Sequence, residues 1–397
     1  MKKILCIICL ILLMFLSITN STIDVCFADG GQENIEQELG EQTQSQLGEL
    51  DLSALENILN DINDGEFDFF GKNSFKDMVN KIINGEFTGS ASNVFSALIN
   101  LVFEDILDML PTLISIIAIA VLCSFVNAIK SNVSGKSVGD IVHFVCFSVI
   151  VALLIKTVVS MVALTTSTLT NIQSQMEAVF PIMLTLIASI GGTVSVSLFQ
   201  PTVALLSSGI IAIFTKFVMP IFIFTLIFSI ISNLSSSVRL NKFTSFFSSL
   251  FKYVIGFVLT IFTAFLSIQG ITANSHDGVS FRTAKYAIKS YVPILGGYLS
   301  EGLDVILTSS VLIKNAVGVS GLLLLFATIV VPLIKIVVFG LCLKLTAAIL
   351  EPIADSKTAN FAMAVSKTVN MLVVMILGVA FMYLITLGIL MATANFA

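Results

Sequence analysis

Apolar runs of about 20 residues recur between positions 111 and 392, separated by short segments that hold most of the lysines and arginines. A run of that length crosses the roughly 30 Å hydrocarbon core of a bilayer as a helix, so the pattern predicts an all-α, polytopic membrane protein. Residues 111–129 and 141–164 read as the first two spans of the mature chain, with Lys130 and Lys136 between them. The following stretch, 165–176, carries no Lys or Arg and reads as a loop on the opposite side. Residues 203–231 and 316–343 are long spans with Pro220 and Pro332 near their middles; 253–271 and 371–391 complete the set.

Two apolar stretches leave the span count open. Residues 181–198 contain Gly191-Gly192, and 293–313 contain Gly296-Gly297 together with Glu301 and Asp304. If both cross, the chain has eight spans; if both dip in and return, it has six. Re-entrant backbone is tolerated only where protein or water surrounds it. The basic loops do not decide, because seven inside charges result either way. The same stretches open a pattern that occurs twice. Pro181 and Pro293, Ser208-Gly209 and Ser320-Gly321, and Pro220 and Pro332 share an offset of 112, and Lys242/Lys252 repeat as Lys357/Lys367. Two similar halves, 180–275 and 276–397, following the first two spans (109–179) would suit a transporter or channel.

Upstream of the spans the character changes. Lys2-Lys3 and the apolar residues 4–16 predict a signal peptide over 1–28, cleaved before Asp29. Residues 29–108 form an exported acidic segment, with 17 Asp/Glu against Lys72, Lys76 and Lys81. Up to about Gly48 it is Gln/Glu/Gly-rich and reads as disordered. Leu52, Leu55, Ile58, Leu59 and Ile62, then Phe75, Met78, Val79, Ile82 and Ile83, recur at helical spacing, ending at Gly65 and Gly85. Their apolar faces either pack locally or dock a partner outside the membrane.

A mean hydropathy of +1.01, with 56 % hydrophobic and 11 % charged residues, excludes an ordinary soluble enzyme. Intramembrane charge is costly, so Lys216 and Lys335, each within a turn of a mid-span proline, are candidates for a polar site. Glu301 and Asp304, three apart, share a helix face and could bind a cation or meet those lysines. Both lysines could equally be structurally paired, and the carboxylates equally an exposed face. Pro181, Pro220, Pro293 and Pro332 are candidate helix breaks, and Gly191, Gly192, Gly296 and Gly297 candidate close-packing points. Two histidines cannot build a His-rich metal site. No catalytic constellation is readable, and no cofactor or nucleic-acid partner is expected.

Three stretches carry a resemblance: Phe180-Pro-Ile-Met-Leu-Thr-Leu-Ile-Ala-Ser-Ile-Gly-Gly192, Tyr291-Val-Pro-Ile-Leu-Gly-Gly-Tyr-Leu-Ser300, and Leu350-Glu-Pro-Ile-Ala-Asp355. With the leader and the acidic segment, the chain resembles the stage III sporulation protein AE family of endospore-forming bacteria. The resemblance implies a multi-pass protein of the mother-cell membrane around the forespore. There it would serve in a channel or secretion-like complex needed for late forespore gene expression. The expected partners are the other membrane proteins of that complex, a forespore-membrane protein met through the exported segment, and the bilayer. A stand-alone secondary transporter using the duplicated halves is the alternative. The resemblance brings no catalytic residues with it.

Overall fold

The computed structural model describes residues 32–63, 73–85, 91–130, 136–234, 240–291, 296–353 and 356–394. These residues are helical almost throughout, without a strand among them. Three short helices come first: α1 (Gln32–Glu49), α2 (Ser53–Asn63) and α3 (Phe75–Ile83). Then follow α4 (Ala91–Lys130), α5 (Lys136–Ser189), α6 (Thr193–Ala204), α7 (Met219–Leu234), α8 (Asn241–Tyr291), α9 (Gly296–Leu350) and α10 (Ser356–Ala392). Between α6 and α7 the helix widens into two π segments, Leu205–Ile210 and Phe214–Val218. Six stretches of these helices are long and apolar enough to cross a membrane.

The helices pair as antiparallel hairpins. In the α6–α7/α8 hairpin, Phe228 stacks on Phe243 and Phe247 near the connection, and Thr202 donates to Gln269 at 2.6 Å near the far end. In the α9/α10 hairpin, Ser366 donates to the Gly340 carbonyl at 2.6 Å, and Lys314 donates to the Thr393 carbonyl at the far end. Helix direction then sets the ends of the bundle. The last turns of α4, α7 and α9 and the first turns of α5, α8 and α10 lie at one end; the α5/α6 turn, the start of α9 and the end of α10 lie at the other.

Helix length corrects the span reading. At 1.5 Å per residue the 55 residues of α9 reach about 80 Å, more than twice a bilayer core. Exposed large apolar side chains concentrate toward the basic-loop end: Ile99 to Phe125 on α4, Phe144 to Val159 on α5, Phe217 to Ile231 around α7, and Phe243 to Ile271 on α8. Beyond Val159, α5 exposes Thr170, Asn171, Ser174, Glu177 and Thr185, and α6 exposes Thr193, Ser197 and Gln200. A lipid-facing belt is apolar because lipid cannot bond polar groups; this other end carries the surface of a water-exposed bundle.

Residues 165–176 are therefore an interior stretch of α5, not a loop. Residues 181–198 are neither a separate span nor a re-entrant hairpin. They comprise the end of α5, a turn at Gly191-Gly192 and the start of α6. Residues 296–313 likewise belong to the first part of α9. Val179, Phe180, Met183, Ile187, Ile313 and Val317 are apolar because they pack on one another's helices.

The N-terminal helices complete that polar-surfaced end. Residues 32–49, expected to be disordered, form α1. Leu39, Thr43 and Leu47 recur every four residues and are buried, and Ser310 of α9 donates to Gln46 at 3.0 Å. Ser74 and Asp77 close a capping box at the start of α3, and Gly85, with φ +69°, lies just beyond its end. Leu55, Leu59, Phe75, Met78, Val79 and Ile82 join the main core, with α1 and α3 on α9 and α2 on α5. The chain itself thus covers the apolar faces left open between local packing and partner docking. The leader, its cleavage point and Gly65 lie outside the described residues.

Candidate functional site

The structure sets Asp304 far from the two lysines singled out from sequence. Lys216 lies in the second π segment and is exposed beside Phe217. Pro220 has no N–H to offer the Lys216 carbonyl one turn back, and its ring crowds that carbonyl; the helix widens immediately before it. Lys335 is half-buried in α9, which continues through Pro332 without an assigned break. Asp304 lies in the same helix as Lys335, 31 residues earlier, so about 46 Å separates them along the axis. Lys216 is also remote from Asp304. Phe214 packs beside Gly378, 14 residues before the end of α10, where Thr393 meets Lys314. Asp304 is ten residues further along α9. A single coupled site built from Lys216, Lys335 and Asp304 is excluded by geometry. The side chain of Glu301 lies outside the described residues, although its backbone belongs to α9.

The proline and glycine landmarks take unequal roles. Pro181 sits inside α5, whereas Pro293 falls outside the described residues. Gly191 and Gly192 form a Schellman turn: Gly192 N–H donates to the Ile187 carbonyl and Gly191 N–H to that of Ala188, both at 2.9 Å. Gly191 has φ +93°, and a Cβ on Gly192 would lie 2.6 Å from the Ile187 side chain. Gly296 and Gly297 open α9.

What the structure does bring together is a polar seam where α5, α9 and α10 meet. Fully buried Lys314 donates to the Thr393 carbonyl, which tethers the end of α10 to α9. One turn on, Gly318 admits Met391 so closely that a Cβ would stand 2.5 Å from it. Gln175 of α5 reaches across to the Thr328 hydroxyl and, at 3.5 Å, the Leu324 carbonyl. Tyr383 of α10 packs edge-on against Phe180, ring centroids 5.3 Å apart, and Ser320 is buried on α9 one turn before Leu324. Outside this seam, Asp105 is a buried carboxylate on the stripe of α4 with Leu101 and Leu113.

Sequence reasoning passed over Lys314, Gln175 and Tyr383, and used Ser320 only as a landmark of the repeat. The available signal was each polar residue's place within an otherwise apolar helical face. The seam suits holding helices in register. Among the described residues, no three His, Cys, Asp or Glu side chains gather as metal ligands.

The family model for stage III sporulation protein AE matches residues 73–394, nearly the whole bundle. Stage III sporulation protein AE of Bacillus subtilis (strain 168) is 25 % identical over 293 residues, covering 74 % of this chain and 73 % of that protein. No solved structure matches.

Proposed function

Because the chain belongs to the stage III sporulation protein AE family, we propose that it acts in sporulation as a multi-pass subunit of the channel complex joining mother cell and forespore. Its place in this reading is the mother-cell membrane around the forespore, with the polar-surfaced end and α1–α3 facing the space between the two membranes. The observation that carries the proposal is the family match, which covers all six long apolar helices.

The fold supports the reading in two respects. An even number of crossings returns the end of α10 to the side of α1–α3, and the helix ends that carry Lys130, Lys136, Lys242 and Lys357 share the opposite end, as the positive-inside pattern favours. The apolar stripes of α2 and α3 are used internally, so a forespore-membrane partner would meet the acidic outer faces of α1–α3. The reading assigns the subunit assembly and passage, not bond chemistry. A stand-alone carrier would need a coupled site that does not join Asp304 to Lys335, which stand about 46 Å apart along α9.

Two measurements test this. Removing the gene from a sporulating host should silence a late forespore reporter, and the gentle-detergent extract of a tagged chain should contain other membrane proteins of the complex. A chain that purifies alone, in a host whose reporter stays active without it, would sink the reading.

A further inference from the structure

Gln175 Oε1, Ser320 Oγ and Tyr383 Oη have no hydrogen-bond partner among the described residues, although all three residues are fully buried. Helix register places them together. Gln175 reaches the Leu324 carbonyl, Ser320 lies one turn before Leu324, and Tyr383 packs on Phe180, five residues beyond Gln175. The three groups therefore fall within about two helical turns of one seam.

We propose that this seam encloses ordered water shared by Gln175, Ser320 and Tyr383. Buried polar groups are almost always satisfied by protein or by water. The donor inventory fits: the Tyr383 hydroxyl can donate to a water oxygen, and that water can donate to Gln175 Oε1 and accept from or donate to Ser320. A bare cation fits less well, because buried Lys314 stands on the same helix six residues before Ser320 and like charges repel strongly in a low-dielectric core.

The test uses the full chain in detergent micelles. Tyr383→Phe and Ser320→Ala should each lower the thermal midpoint, by about 2 °C, and the double variant should lose less than the two together. Hydroxyl-radical footprinting, which marks side chains beside internal water, should label Tyr383 despite its burial. Midpoints that stay level or rise, additive losses, or an unlabelled Tyr383 would each overturn the proposal.

Discussion

The α6–α7/α8 and α9/α10 hairpins carry matching sequence marks and live in opposite surroundings. In each, a proline sits in the outgoing helix, and the returning helix begins with a lysine at its second position (Lys242, Lys357) and another ten residues on (Lys252, Lys367). The α9/α10 pair nevertheless forms the centre, with Phe339, Phe361, Leu372, Met375 and Tyr383 buried. The α6–α7/α8 pair is peripheral and leaves Phe217, Tyr253 and Phe257 at least 65 % exposed. Pro220 follows a π segment, while Pro332 sits within unbroken helix. Punctuation residues therefore fix where a hairpin turns, but neighbours decide what it buries.

The largest effect that could break the comparison is an inversion. Both hairpins here run the same way, so reporters inserted after residues 238 and 353 should give one sidedness and those after 191 and 294 the other. A reporter at 294 that agrees with the one at 353, with the one at 238 on the opposite side, would restore the eight-span arrangement and make the halves inverted.

Next comes core against periphery. Phe361 is fully buried, its ring 5.2 Å from that of Phe147, whereas Phe257 is 68 % exposed. Phe361→Ala should cost about 3–5 kcal/mol through the cavity it leaves; Phe257→Ala should fall within about 0.5 kcal/mol. Thermal unfolding in micelles measures both, and equal losses would mean that the outer hairpin is covered as fully as the inner one.

Glycines give a smaller contrast. A Cβ at Gly318 would meet Met391 at 2.5 Å, but one at Gly256 meets nothing within 4 Å. Gly318→Val should cost about 1–3 kcal/mol by overpacking. Gly256→Val should be neutral or slightly stabilising, since glycine is the poorer helix former. The midpoint of each variant against the parent decides it.

These contrasts also show how far the sequence could be read. The all-α membrane class and the reversals from α7 to α8 and from α9 to α10 were legible, because apolar runs and lysines mark them directly. The continuity of α5 was not. Thr165, Thr166, Thr168, Thr170 and Ser174 look like loop residues, but each hydroxyl donates to a carbonyl four residues back, so the helix carries its own polar groups onward. Hydropathy also cannot separate lipid from protein interior, which made 181–198 and 293–313 look like membrane segments. Helix α1 escaped notice because, among its described side chains, only two leucines and a threonine at four-residue spacing mark a buried face. The polar seam escaped because its members lie on three helices whose pairing no spacing reveals.

The smallest contrast lies in single hydroxyls, and it isolates helix-to-helix bonding from bonding within a helix. Ser366 donates across the buried hairpin to the Gly340 carbonyl at 2.6 Å, whereas exposed Thr260 donates to the Gly256 carbonyl of its own helix at 2.7 Å. That carbonyl of Gly256 keeps its place in the helix ladder when the threonine goes, so Thr260→Ala should change stability by no more than about 0.5 kcal/mol. Ser366→Ala removes a bond that water cannot replace in a buried interface and should cost about 1 kcal/mol. Ser366→Thr keeps the hydroxyl but adds a methyl against α9, so it should lose stability through packing instead. Unfolding midpoints for the three variants separate the terms. If Ser366→Ala proved neutral while Ser366→Thr did not, close packing rather than the hydrogen bond would hold α9 to α10.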